Sequence, residues 1–354
     1  MGSKFIECCI VNAIVGMIIA SACAAQSAPQ VRALGSAVNQ KVELHPSSME
    51  PPSDSDPTPQ LFASSPEQSE NPEPQITTLP ANRKLAPQVD SNGFGGRWQA
   101  RATATQNEQP HWITPLVTVT PRLEQEFRTD FVHYYNPSGH EIWNYGNGKG
   151  LELIPEKHTE IIFNIPPFLD RSNGESDGFG DVSFLLKERL YSRNESHGNA
   201  IVTAFLGASV PTGKNGNGSC CAVVTPTLAI GKGWANFDLT STAGGSLPVS
   251  NAAGLGRSVI WNNVVQYRLA KTGTARLFWP EFETNTTIYK GGPNDGKTQT
   301  FGTPGLIIGR IPLSHHSNGT PGRLGLTFGA GEQIALTRFH TVNHYTVLTF
   351  RIPF

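Results

Sequence analysis

The chain has 354 residues, 27 Lys and Arg against 28 Asp and Glu, and a formal net charge of -1. That balance gives no electrostatic case for nucleic acid as a partner. Its 5 cysteines are too few and too badly placed for a disulfide framework.

Residues 1–24 read as an export signal. Met1-Gly-Ser-Lys4 is a positive start, Cys8 to Ala20 is a mostly apolar run broken by Asn12, and Ala20-Ser-Ala-Cys-Ala-Ala25 offers small residues at cleavage spacing. The run falls short of the roughly 20 apolar residues that a spanning helix needs. Cys23 is a lipid-attachment candidate, although ordinary cleavage after Ala22 or Ala24 is the preferred reading. Residues 25–95 are rich in Pro, Ser, Gln and Asn, as in Pro51-Pro-Ser-Asp-Ser-Asp-Pro-Thr-Pro59, and cannot bury enough apolar area to offset chain entropy. We read them as a disordered periplasmic linker, with a partner-binding arm as the alternative. Residues 96–121, with Trp98, Trp112 and Leu116-Val-Thr-Val119, are a transition that either plugs the barrel or adds a short strand.

Over residues 122–354 the texture changes to short runs of period two separated by Gly, Asn, Pro and Ser clusters. The fold class is all-β, and the expected strands are 122–135, 148–154, 159–167, 180–191, 199–210, 223–232, 235–247, 257–269, 276–288, 299–311, 323–336 and 342–354. About twelve strands of one antiparallel transmembrane barrel in an outer membrane fit this pattern, because long and short connections mostly alternate. Two connections disagree: 312–322 is long for a periplasmic turn and 337–341 is short for an external loop. The last strand puts Leu348, Phe350, Ile352 and Phe354 on one face, which suits a terminal strand read by the outer-membrane insertion machinery.

The strand faces separate by polarity. One parity carries Phe127, Phe131, Ile161, Phe163, Phe184, Leu186, Val265 and Phe328, the candidates for contact with lipid. The other carries the candidate lumen residues Glu124, Glu126, Arg128, Asp130, Glu160 and Lys187 in the first half of the barrel. Arg189, Arg268, Glu281, Glu283 and Arg351 continue the set in the second half. In a soluble core so many charges would each cost several kcal/mol unless paired. Glu188 and Asn263 sit on the apolar face and require a bulge or an interfacial position.

Five stretches resemble a known family. They are Gly178-Phe-Gly-Asp-Val-Ser-Phe-Leu-Leu-Lys-Glu-Arg-Leu190, Val210-Pro-Thr-Gly-Lys214, Thr225-Pro-Thr-Leu-Ala-Ile-Gly-Lys-Gly-Trp234, Trp279-Pro-Glu-Phe-Glu-Thr-Asn285 and Phe339-His-Thr-Val-Asn-His-Tyr345. In that order they are similar to outer-membrane β-barrels grouped with proteins of a phenol-degradation (MetA) pathway, often labelled transporters. The resemblance implies an outer-membrane channel for small, hydrophobic or aromatic solutes, with no catalytic residue and no cofactor.

Glu281 and Glu283 share a strand face about 6 to 7 Å apart. Such a pair can serve acid and base chemistry or line a cation path. The simpler expectation is a lumen ladder paired with Arg268 and Arg351. His340 and His344 are about 13 Å apart if they lie on a strand, too far to share a metal. The expected function is a solute channel that is not an enzyme, and the rival is a closed barrel that anchors the Pro-rich arm in the outer membrane.

Overall fold

A computed structural model describes residues 93–172, 176–250, 252–315, 319 and 321–354. The export signal, Cys23 and nearly all of the Pro-rich linker lie outside the described residues. Fifteen strand segments form one antiparallel sheet. In chain order they are β1 (Glu126–Tyr135), β2 (Glu141–Gly146), β3 (Gly150–Glu156), β4 (Thr159–Asn164), β5 (Phe168–Arg171), β6 (Gly178–Phe179), β7 (Val182–Arg193) and β8 (Ala200–Val210). The remaining seven are β9 (Val223–Trp234), β10 (Phe237–Pro248), β11 (Arg257–Tyr267), β12 (Phe278–Lys290), β13 (Thr298–Pro312), β14 (Gly325–Ala335) and β15 (His344–Pro353). β15 pairs with β1, Phe131 opposite Leu348, so the sheet closes into a barrel.

The barrel has twelve staves, because three of them are broken in two. β2 and β3 both pair with β1, β5 continues β4, and β6 leads into β7. The first break falls at Gly146, Asn147 and Gly148, whose φ angles of 90°, 43° and 61° interrupt the extended chain. This corrects two expected external loops: 136–147 contains β2, and 168–179 contains β5 and β6. Residues 122–125, expected as strand, precede β1.

Alternation along each stave makes the two surfaces. β12 shows the rule, with Glu281 and Glu283 buried inside and Phe282 between them 47% exposed outside. Around the outside, Phe163, Leu186, Leu228, Val265, Phe328 and Leu348 form an exposed apolar belt. Trp234 and Phe237 rim it at the β9–β10 turn, as membrane interfaces favour. Asn263 is tolerated on this face because it accepts from Ser241 Oγ at 2.8 Å and donates to Thr284 Oγ1 at 3.3 Å. Glu188 takes a hydrogen bond from Thr159 Oγ1 at 2.8 Å, next to a register shift between Arg189 and Tyr191. A charge in the middle of the belt has no such partner. Leu348→Arg should destabilise the barrel by about 2–4 kcal/mol in lipid, measured as a lowered denaturant midpoint in vesicles. An unchanged midpoint would remove Leu348 from the lipid face.

The end of the barrel where β1 starts and β15 finishes is the terminal end. There helix α1 (Phe94–Asn107) is held by Arg323, which donates to Gln99 O at 3.2 Å, to Thr103 Oγ1 at 2.5 Å and to Phe354 O at 3.1 Å. This explains the long connection between β13 and β14: it carries the residue that clamps the helix. Ala102 of α1 packs on Leu123 and Ile154 inside the barrel.

Candidate functional site in the barrel lumen

Residues 108–125 run from α1 into the barrel as a strap and return to join β1. At the terminal end His111 Nδ1 lies 2.8 Å from Glu195 and Trp112 Nε1 donates to Asn199 Oδ1 at 3.0 Å. Deep inside, Thr118 Oγ1 accepts from Asn285 Nδ2 at 3.1 Å. Gln109 ties the two limbs together, donating to Leu123 O at 2.8 Å and accepting its N–H at 2.9 Å.

The chain bends at residues 116–118, and the bend turns successive N–H groups the same way. Leu116 N–H donates to Glu281 Oε1 at 2.9 Å, while Val117 and Thr118 N–H donate to the two oxygens of Glu283 at 2.8 and 2.7 Å. Neighbouring carbonyls turn to the opposite side. Arg351 donates to Thr114 O and Pro115 O, and Arg128 donates to Leu116 O. Between the carboxylates on β12 and the arginines on β15 and β1 lie β13 and β14, and their inner face is a glycine floor. A Cβ on Gly305, Gly329 or Gly331 would collide with the Leu116 side chain, which is fully buried there with Ile113, Trp279 and Ile307. Trp112 is seated in the same way against Gly231 and Gly233 of β9. Glycine in a strand marks close approach of another chain, and here that chain is the strap.

The returning limb is tied as fully. Arg122 donates to Trp112 O and pairs with Glu124 at 2.8 Å. Lys187 Nζ reaches Arg122 O at 3.2 Å and Glu160 at 2.9 Å, and Glu160 in turn accepts the Glu124 N–H.

Every candidate lumen residue except Arg268 is buried, but several have partners other than those expected. Glu124 belongs to the strap, not to a strand. Glu126 stands opposite Glu152 in the β1–β3 pairing. Arg128 pairs with Asp130 at 2.8 Å and Lys187 with Glu160. Arg189 serves Thr105 O, Lys157 O and Glu108 at the helix end. The expected ladder of Glu281 and Glu283 with Arg268 and Arg351 is corrected: among the described residues no ion pair joins them. The glutamates take backbone N–H groups, Arg351 takes backbone carbonyls, and Arg268 lies over the Trp279 ring at 5.3 Å. His340 Nε2 lies 2.7 Å from Asn343 Oδ1 while His344 lies 4.0 Å from Glu332, so the two rings serve separate partners. Arg122, Trp112, Leu116 and the glycine floor were missed as site residues. A period-two signal was present in Gly329-Ala-Gly331 and Gly231-Lys-Gly233, which place paired glycines on one strand face.

At the entrance, partial burial raises the Glu195 carboxyl, but hydrogen bonds from the His111 side chain and backbone N–H outweigh it and hold the group at about 2. A depressed carboxylate stabilises the closed arrangement above its free value near 4.3 and loses that contribution as pH falls toward 2. The strap entrance should therefore loosen on acidification from pH 5 to 3, read as falling protection factors, corrected for intrinsic exchange, at residues 109, 111 and 112. Protection factors that are flat across this range in wild type, or equally pH-dependent in Glu195→Gln, would show that the contact plays no part.

No family model and no curated protein matches the chain. Among solved structures it is similar to the NanC porin, at 9% identity and a TM-score of 0.41, over 64% of this chain and 98% of that one. It is also similar to an outer-membrane channel from Pseudomonas putida F1, at 13% identity and a TM-score of 0.46, over 69% of this chain and 100% of that one. Likeness at this distance concerns the barrel fold alone, and neither structure bears on the phenol-degradation grouping.

Proposed function

We propose that the chain is an outer-membrane channel for small solutes whose lumen is shut from the periplasmic, terminal end by the strap. The carrying observation is how the strap is held: Glu281 and Glu283 grip its N–H groups, and Arg128 and Arg351 grip its carbonyls. These contacts fill the space a solute would cross, and they are hydrogen bonds to a segment continuous with only one stave, which can part without opening the sheet. Glu281, Glu283, Arg128, Arg351 and Lys187 are occupied in holding the strap, which supports a gate over a catalytic role. The outer-membrane location is supported by the apolar belt and the closed strand topology. Aromatic or hydrophobic solutes are suggested by the family resemblance alone.

The rival is a permanently closed anchoring barrel, and the extensive satisfaction of strap groups favours it to that extent. Single-channel recording of the refolded full chain separates the two. Wild type should be mostly shut with brief openings, and Trp112→Ala, which unseats the entrance anchor from Gly231 and Gly233, should lengthen them. Silence in both would leave the anchoring barrel.

A further inference from the structure

We infer that the lumen groove is a receptor for short peptides and that the strap occupies it as a built-in competitor. The inference deepens the channel reading and rests on it for transport, since it names the solute class that would replace the strap. The groove has one acidic rim, Glu281 and Glu283, one basic rim, Arg128 and Arg351, and a floor of Gly305, Gly329 and Gly331. With the strap in place the four charged side chains are 0 to 6% exposed, so both rims are buried against it.

What they recognise in the strap is main chain. The N–H groups of Leu116, Val117 and Thr118 meet the acidic rim and the carbonyls of Thr114, Pro115 and Leu116 meet the basic rim. Any short peptide bent at the same point carries those groups at the same spacing. Side-chain identity comes from Leu116, through its seat on the glycine floor, and from Thr118, whose Oγ1 accepts from Asn285 Nδ2 at 3.1 Å. A hydrocarbon in the vacated groove would instead leave buried charges against an apolar surface, which is costly. The groove chemistry therefore selects against hydrophobic solutes, and it selects for amide-bearing ones with a central aliphatic side chain.

The test uses the refolded full chain and the acetylated, amidated pentapeptide with the sequence of residues 114–118, carrying a fluorophore and followed by anisotropy. Leu116→Asp sets a carboxylate beside Glu281 and frees the groove. This variant should bind the peptide at least tenfold more tightly than wild type, in which the strap competes. Adding Glu281→Gln and Glu283→Gln should weaken binding at least tenfold, and a peptide with Asp in place of its leucine should not bind. If Leu116→Asp loses heat-modifiable migration, Trp112→Ala frees the strap from its other anchor and takes its place. Absence of peptide binding in a folded, strap-freed variant overturns the inference, as does binding indifferent to the glutamine pair. Conductance separates the two readings: a freed barrel that conducts without binding peptide keeps the channel and loses the receptor. One that binds peptide without conducting keeps the receptor and loses the channel.

Discussion

Replacing Glu281 and Glu283 together by glutamine should turn a mostly shut barrel into one that is open for much of a recording. The reason is the number of oxygens in use. Both oxygens of Glu283 accept strap N–H groups, and Glu281 accepts Leu116 N–H on one oxygen and Gln266 Nε2 at 2.7 Å on the other. An amide offers one oxygen and one NH2, so each substitution sets a donor against a donor. A buried donor left without an acceptor costs about 1–3 kcal/mol. Two such losses shift the closed-to-open ratio on the order of 100-fold or more, at about 1.4 kcal/mol per tenfold. The open barrel should also lose cation preference, since the acidic rim is gone while Arg128 and Arg351 remain. Insertion and heat-modifiable migration should not change, because neither glutamate touches lipid. A doubly substituted barrel with wild-type open probability would remove these residues from the gate.

The second large effect comes from the floor. Gly305→Val with Gly329→Val places side chains where Leu116 sits, at positions whose Cβ would already collide with it. Overfilling a packed site costs about 1–3 kcal/mol, and unseating a buried leucine about 2–5 kcal/mol. The strap, continuous with only one stave, should yield before the wall, whose strands tolerate valine well. Limited proteolysis within residues 108–120 should accelerate at least tenfold over wild type while the barrel fragment survives intact. Cleavage at the wild-type rate would show that the strap has another way to fit.

Much of the wall was legible in the sequence because strand faces alternate with a period of two. Glu281 and Glu283 inside with Phe282 outside follows from that period alone, as does the buried side of Glu126, Arg128 and Asp130. The broken staves were not legible, because Gly146-Asn147-Gly148 and Pro166-Pro167 carry the usual signs of a loop while β2 and β5 resume the same ladder beyond them. The partners of the buried charges were missed for another reason. Parity says which way a side chain points and nothing about the groups that fill the space beyond it. Residues 108–125 have no periodicity, and main-chain groups, which every sequence possesses, make most of their contacts. The paired glycines of β9 and β14 were the trace the strap left on the wall, and they became readable only beside Trp112 and Leu116.

The seam between β1 and β15 has a consequence for how the molecule is made. Gln125, the last residue of the strap, accepts the Phe354 N–H at 3.1 Å and donates to Phe354 O at 3.3 Å, while Arg323 joins that same carbonyl to α1. Phe354, just past β15, is thus fastened to the segment that leads into the first stave. Threading such a segment through a finished ring would oblige its buried charges to find their partners one by one in a narrow space. Joining the edges around it lets the two walls come together on a template already in place. Wall closure and lumen filling then become a single assembly step, and a chain truncated before Phe354 loses both an edge contact and a fastening of its core.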